Sequence, residues 1–160
     1  MTAKELMKQC EVEEKELKFR EFSSETALAI GMALIEEAKK RDNKICIDIA
    51  IAGRRLFHYS SDGNAVSNDI MIERKKKTAM HTGHSSLWAH YMLEDCGMNI
   101  KEKWALEPSE YAQVGGAFPI RLENCQTVIG TITCSGFNHE QDHSCLLYTS
   151  PSPRDYAASR

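Results

Sequence analysis

The feature that most constrains the fold is an alternating pattern in the middle of the chain. Isoleucine occupies every second position from residue 45 to residue 51, and small or polar residues such as Asp48 stand between them. This two-residue period is typical of a β-strand. Gly53 interrupts the pattern, and residues 54–60 have the composition of a returning strand. The segment therefore predicts a β-hairpin.

The residues before this hairpin predict a helix. Ser23, Ser24 and Glu25 provide a cap and a first-turn acid. Behind them, apolar or small residues recur with the spacing of one helical face, namely Ala27, Ile30, Gly31, Leu34, Ile35 and Ala38. Charged residues lie mostly on the opposite face, and the pattern ends near residues 42–43.

The second half of the chain continues with helices and then strands. A helix is expected from about residue 69 to residue 81, capped by Ser67 or Asn68. A second helix follows over 85–95 and stops at Gly97. Residues 98–114 are predicted to be irregular. Two further strands are expected at 117–122 and 127–134.

This order of elements predicts an α+β sandwich, in which helices pack on a central antiparallel sheet within a single domain. One face of the last strand carries Thr127, Ile129, Thr131 and Thr133 and is therefore less apolar than the other. Such a face suits solvent, a subunit interface or a polar pocket.

Three segments are expected along the chain. Residues 1–22 are expected to be a charged lead-in, either a short helix or a partly ordered segment, and residues 23–143 to form the domain. Residues 144–160 are expected to be a disordered tail that is not native, because residues 145–155 resemble the translation of a sequencing-library adaptor. The alternative is a native disordered terminus, since chain ends are commonly poorly ordered.

Composition excludes several classes of function. The chain has 20 basic and 23 acidic residues, whereas generic nucleic-acid binding requires an excess of lysine and arginine. No apolar run approaches the roughly 20 residues of a membrane helix, and the first residues do not resemble a secretory signal. A cytoplasmic protein is expected, without membrane insertion. None of the six cysteines has Cys-x-x-Cys spacing, so neither a metal site nor a disulfide framework is predicted.

Two stretches, residues 72–86 and residues 115–143, carry a resemblance to a known family. Together they resemble the haem-degrading domain family, also called HbpS-like or GlcG-like, and above all its uncharacterised intracellular branch in bacteria and fungi. The matching residues are Arg74, Lys75, Thr78, Ser85, Ser86, Gly115, Gly116, Pro119, Gly130, Ser135, Gly136, Asp142 and His143. The resemblance spans about residues 5–143. Lys77 and His81 depart from it, since the family has Asn and Arg there.

The resemblance implies a compact α/β domain that assembles into homo-oligomers. Some members resemble haem-binding proteins or haem-linked sensors, and one fungal relative is associated with the delivery of tail-anchored membrane proteins. Two hypotheses follow. The first is a protein that binds a small anionic ligand, with haem as the named cofactor and degradation left open. The alternative is a non-enzymatic interaction protein, a partner in a chaperone pathway.

Four residues are the candidate ligand contacts. In the haem hypothesis, Arg74 and Lys75 neutralise carboxylates, while His81 or His84 supplies a nitrogen ligand. A solvated helix face is the alternative for the basic run, and it is the interpretation kept for Lys76 and Lys77. Gly115 and Gly116 lack the spacing of a phosphate loop and indicate a bend at a strand start. No catalytic constellation is visible, so no catalytic residue is assigned.

Overall fold

The computed structural model describes residues 1–149, with side chains as far as Leu147. Within these residues the helices are α1 (Ala3–Glu16), α2 (Ser24–Lys40), α3 (Val66–Thr82), α4 (Ser86–Cys96), α5 (Ile100–Trp104) and α6 (His139–Thr149). The strands are β1 (Lys18–Phe19), β2 (Cys46–Ile51), β3 (Arg54–Ser60), β4 (Ala117–Leu122) and β5 (Gly130–Ser135).

All five strands form one sheet, in the order β1-β4-β5-β2-β3. The predicted hairpin is β2-β3, and β5 pairs antiparallel with β2 on one side and with β4 on the other. The short strand β1 pairs parallel with β4, which makes the sheet mixed at its edge. The α+β sandwich predicted from the sequence is confirmed.

The two faces of the sheet differ in character and in what covers them. One face carries the isoleucines of β2 with Phe118 and Ile132, and it packs under α2 and α6 in the main hydrophobic core. Ser23 caps α2 by accepting a hydrogen bond from the backbone of Thr26, as the sequence predicts. Burial of this continuous apolar face is the main stabilising contribution to the fold.

The opposite face is polar but is also buried. Thr131 and Thr133 of β5 stand beside Asp48 and Ala50 of β2, and helix α3 packs across them. Both threonines are buried. Solvent exposure, one of the three interpretations of this face, is therefore excluded for these two threonines, and the polar groups here need partners inside the protein. Thr127 is exposed, because β5 begins at Gly130 and not at residue 127 as predicted.

Helix α3 begins earlier than predicted. Its first residue is Val66, and Ala65 occupies the cap position without a side-chain hydrogen bond. Asn68 does not cap the helix, because its side chain bonds to Asn64 and Ser135 instead. Residues 98–114, predicted to be irregular, contain the short helix α5, which Asn99 caps through a capping box.

Helix α6 crosses the boundary that was expected after residue 143. The helix continues to Thr149, and Cys145 and Leu146 are buried in the core beside α2. The ordered domain thus includes the first residues of the segment assigned to the tail. Residues 150–160 lie outside the described residues, and the adaptor interpretation of the segment stays a prediction.

Replacing Leu146 tests whether this segment belongs to the fold. The Leu146→Ala variant is expected to lower the free energy of unfolding by about 2–5 kcal/mol, because a leucine truncated in a packed core leaves a cavity. Urea unfolding followed by circular dichroism measures the change. The matched control is Leu28→Ala, since Leu28 is half exposed on α2. Equal and small losses in both variants would show that α6 contributes little to the core.

Candidate functional site

Three residues that carry the family resemblance, Lys75, Gly116 and Asp142, meet at a buried ion pair. The Lys75 ammonium lies 3.1 Å from Oδ2 of Asp142 and also donates to the carbonyl oxygen of Cys134 at 3.1 Å. Both side chains are almost fully buried, with exposed fractions of 2% and 3%. Lys75 therefore neutralises a carboxylate inside the protein, and its charge is already compensated there.

Gly116 makes room for this pair, and Gly115 makes room for the start of α6. Gly116 has a φ of +131°, and a Cβ atom there would lie 2.6 Å from Nζ of Lys75 and would overlap the carbonyl oxygen of Cys134. A Cβ atom at Gly115 would overlap the carbonyl oxygen of His139.

Burial raises the pKa of Asp142 to about 6, although the nearby ammonium of Lys75 acts in the opposite direction.

Other residues of the resemblance bond to neighbouring elements. Ser85 caps α4, and Ser86 accepts a hydrogen bond from the backbone of Ala117 at 2.9 Å. The Ser135 hydroxyl bonds to Asn68, and His143 Nε2 lies 2.9 Å from the Glu13 carboxylate.

The Thr78 hydroxyl donates a hydrogen bond to the backbone carbonyl oxygen of Arg74. Pro119 lies in β4, Gly130 lies in β5, and Gly136 has a φ of +149°.

Arg74 and His81 lie on the outer side of α3. Arg74 donates to the carbonyl oxygen of Pro108 at 2.6 Å, and the His81 ring makes an edge contact with Tyr111 at a centroid distance of 6.1 Å. Both side chains therefore hold the 107–112 segment. The four predicted ligand residues do not share one pocket, because Lys75 is buried under α6 and His84 lies elsewhere.

His84 lines a pocket of about 270 Å³ between α1, β1 and β4. Its Nδ1 lies 2.9 Å from Oε1 of Glu14, a carboxylate that is 4% exposed. The imidazole stacks on the Trp88 ring with a centroid distance of 3.9 Å and an interplanar angle of 16°. The ring is thus fixed from its face and from one nitrogen, while Nε2 forms no hydrogen bond within residues 1–149.

The pocket carries more positive than negative charge. Its lining residues are Glu11, Glu14, Lys15, Lys18, His84, Arg121 and Gln126. Arg121 pairs with Glu14 at 3.5 Å, and Glu11 accepts a hydrogen bond from the Trp88 indole. Lys15 and Lys18 form no ion pair with any residue that the structure describes. Two lysines therefore remain available to an anionic ligand.

Local structure explains the position of His84. Gly83 ends α3 in the left-handed conformation, and Ser85 caps α4, so His84 occupies the sharp turn between the two helices. The Thr82 hydroxyl bonds to the backbone of His84, and Arg121 donates to the carbonyl oxygen of Gly83. The turn is consequently held by both helices and by β4.

Sequence reasoning missed the other members of this pocket. Glu14 and Lys15 belong to α1, Lys18 to β1 and Arg121 to β4. These residues lie far from His84 in the sequence, and charged residues of these types are frequent on any protein surface. The sequence therefore does not mark them as members of one pocket. The parallel pairing of β1 with β4 brings them together, since Lys18 stands opposite Arg121.

A second charged cluster surrounds Asp48, which is fully buried under α3. Lys76 Nζ lies 2.9 Å from Oδ1 of Asp48, while Arg55 Nε at 2.8 Å and His58 Nδ1 at 3.3 Å contact Oδ2. The solvated interpretation of Lys76 is therefore wrong, because Lys76 compensates a buried carboxylate. Burial of the adjacent Cys46 thiol raises its pKa to about 12, helped by its hydrogen bond to Asp69.

A family model described as "Haem degrading protein HbpS-like" matches residues 22–149. The chain belongs to the HbpS-like family. The predicted resemblance is thereby confirmed.

Two curated relatives are UPF0303 proteins. That of Streptomyces coelicolor is 35% identical over 137 residues, which make up 86% of each protein. That of Edwardsiella ictaluri is 34% identical over 143 residues, or 89% of this chain and 90% of the relative.

Solved structures share the fold. The crystal structure of the Ybr137w protein is 31% identical and has a TM-score of 0.82, covering 96% of this chain and 88% of that one. A PduOC:haem complex has a TM-score of 0.66 at 16% identity, covering 81% and 92%. The crystal structure of HbpS has a TM-score of 0.64 at 18% identity. At these two lower identities the similarity concerns the fold.

The helices that the structure describes within residues 1–149 are too short or too polar to span a membrane.

Proposed function

We propose that this HbpS-like protein binds a small anionic ligand in the His84 pocket, and that haem is this ligand. The observation that carries the proposal is the state of His84, which is held by a buried carboxylate on Nδ1 and stacked on an indole. Membership of the HbpS-like family supports haem as the ligand, and the PduOC:haem complex shows the same fold with haem bound.

The residues of the pocket, together with Trp88 behind His84, fit haem in three respects. Imidazole is a common axial ligand of haem iron, and a carboxylate on its other nitrogen fixes the ring and raises its basicity. Trp88 provides an apolar ring beside His84, and it stacks in turn on Trp104 at a centroid distance of 6.5 Å. Lys15 and Lys18 supply charges for propionates.

The protein would position the cofactor and control its surroundings. Haem, when bound, supplies iron chemistry with dioxygen, and any degradation would draw its oxidative power from that chemistry. Glu14 keeps His84 in one orientation, and Arg121 compensates the Glu14 carboxylate. A pocket of about 270 Å³ would cover only part of a macrocycle. We propose that a second copy of the chain covers the rest in a homo-oligomer.

Truncating His84 should weaken haem binding. In a titration of the purified protein followed by Soret absorbance, the wild-type chain is expected to saturate at one haem per subunit or per subunit pair. The His84→Ala variant is expected to bind about tenfold or more weakly, a difference of about 1.4 kcal/mol. The cause is the loss of the nitrogen ligand together with its stacked ring.

A matched histidine separates this site from unspecific adsorption. His90 is exposed to a similar degree but bonds to the backbone of Gln113, away from the His84 pocket. The His90→Ala variant is therefore expected to bind like the wild type. A titration that never saturates, or that weakens equally in both variants, would overturn the haem proposal.

A second candidate function has its own observation. Two pairs of large apolar side chains are exposed one helical turn apart, Leu28 with Met32 on α2 and Val66 with Ile70 on α3. Exposed apolar surface of this kind favours contacts with other proteins. If haem does not bind, we propose that the chain is a non-enzymatic interaction protein, and that these exposed apolar side chains contact its partners in a chaperone pathway.

A further inference from the structure

A second group of ligating side chains lies on the polar face of the sheet, away from the His84 pocket. Cys46 belongs to β2, His58 to β3 and Asp69 to α3. Their ligand atoms all lie within 4.8 Å of one another. Cys46 Sγ is 3.1 Å from Oδ1 of Asp69, and His58 Nε2 is 3.8 Å from the same oxygen.

The sheet register produces this juxtaposition. Asp48 stands directly opposite His58, and Cys46 stands opposite Ser60, so Cys46 and His58 are diagonal neighbours on one face. Helix α3 crosses this face and adds Asp69 from its first turn. Three ligands from three elements have no fixed sequence spacing, which explains why the cysteine pattern predicted no metal site.

His58 also has the outer partner that metal-binding histidines require. Its Nδ1 lies 3.3 Å from Oδ2 of Asp48, which is fully buried and is held in turn by Lys76 and Arg55. In metal sites a carboxylate on the second ring nitrogen orients the imidazole and raises its basicity. The nitrogen left for a ligand is Nε2, the one near Asp69.

Distances agree with a small tetrahedral ion. Around Zn²⁺, with bonds of about 2.3 Å to sulfur and about 2.0–2.1 Å to nitrogen and oxygen, sulfur and oxygen ligands stand about 3.6 Å apart and nitrogen and oxygen about 3.3 Å. The distances found here, 3.1 and 3.8 Å, need adjustments of about half an ångström. His58 and Asp69 are partly exposed, so an ion can enter from solvent.

A comparable cluster, formed by Cys10, Glu13 and His143, is less suited to a metal. His143 Nε2 already contacts Glu13 at 2.9 Å, while its buried Nδ1 forms no hydrogen bond. No outer partner therefore orients this ring within residues 1–149. In the Cys46 cluster, by contrast, the Asp48 carboxylate orients the His58 ring.

We propose that Cys46, His58 and Asp69 form a site for a single Zn²⁺ ion, with Asp48 as the positioning residue of the His58 ring. A thiolate, an imidazole and a carboxylate together select zinc or a similar transition metal over magnesium and calcium, which prefer oxygen ligands. Binding displaces the thiol proton to solvent, and water completes the coordination shell.

Cobalt and zinc titrations of the full-length protein test this proposal. Cobalt is used as a spectroscopic probe, because a cobalt–thiolate bond adds a charge-transfer band in the near ultraviolet and tetrahedral coordination adds visible bands. We expect one equivalent of cobalt to produce both bands and one equivalent of zinc to abolish them. Magnesium at the same concentrations should produce no change.

Variants assign the ligands. Cys46→Ser should remove the thiolate band. His58→Ala removes a ligand and should weaken zinc binding by about 10-fold or more in competition with a chromogenic chelator. Cys10→Ser and Cys125→Ser are the matched cysteine controls and should leave the band unchanged. His58 is partly exposed, so its variant tests the site even if Cys46→Ser fails to fold.

The proposal fails if cobalt gives no thiolate band, or if Cys46→Ser and His58→Ala bind zinc like the wild type. Loss of the band in Cys10→Ser instead would move the metal to the other cluster.

Discussion

The Asp142→Ala variant is expected to lose about 3–5 kcal/mol of unfolding free energy. The reason is that the Lys75 ammonium would stay buried with only the Cys134 carbonyl oxygen as a partner. Asp142 also accepts a hydrogen bond from the backbone of Phe137, which would lose its acceptor. Urea unfolding, followed by tryptophan fluorescence and by circular dichroism, measures the change.

The matched control removes both charges. In a Lys75→Met, Asp142→Leu double variant no charge is left unpaired, and most of the lost stability should return, because apolar replacements of buried ion pairs are often neutral or stabilising. A loss below about 1 kcal/mol in Asp142→Ala would contradict the account. It would mean that the carboxylate does little to compensate the buried ammonium.

Substituting Gly130 by alanine should be the most disruptive small change in the sheet. A Cβ atom there would overlap the carbonyl oxygen of Ala50 and lie 2.9 Å from Cα of Ile51. Both atoms belong to the backbone of β2, which pairs with β3 on its other side. We expect Gly130→Ala to cost about 3 kcal/mol or more, because the overlap forces the strands apart.

The Gly31→Ala variant is the matched control for Gly130→Ala. A Cβ atom at Gly31 would meet the Phe57 ring, a partly buried side chain that can rotate. Alanine also gains up to about 1 kcal/mol of helix propensity over glycine. The Gly31→Ala variant should therefore cost much less than Gly130→Ala in the same thermal unfolding measurement. Equal and small losses would show that the β5-β2 spacing adjusts freely.

The elements that could be predicted from the sequence are those with a regular spacing of apolar residues or a clear capping residue. The isoleucine alternation gave β2, and the periodic apolar face with its Ser23 cap gave α2. Ser85 and Gly97 bounded α4 correctly. Helix α6 was not predicted, since a helix-hostile composition follows it and its contact with α2 is a tertiary effect.

The candidate site was predictable only in part. The family resemblance singled out Lys75 and Asp142, but their pairing across 67 residues is a consequence of the fold. The sequence shows Asp48 only as a polar residue that alternates with the isoleucines of β2, and it is the position of α3 that reveals Lys76 as its partner. His84 was named from its residue type, whereas Glu14, its partner, lies 70 residues away on another helix.

The most direct test of the account is an imidazole rescue of the His84→Ala protein. The account predicts that this variant has a weak and altered Soret band with haem, and that added imidazole restores the wild-type band by replacing the missing ring beside Trp88. The Trp88→Ala variant, which keeps His84, should not respond to imidazole. A His84→Ala protein that already shows the wild-type Soret band, or that imidazole leaves unchanged, would contradict ligation by His84.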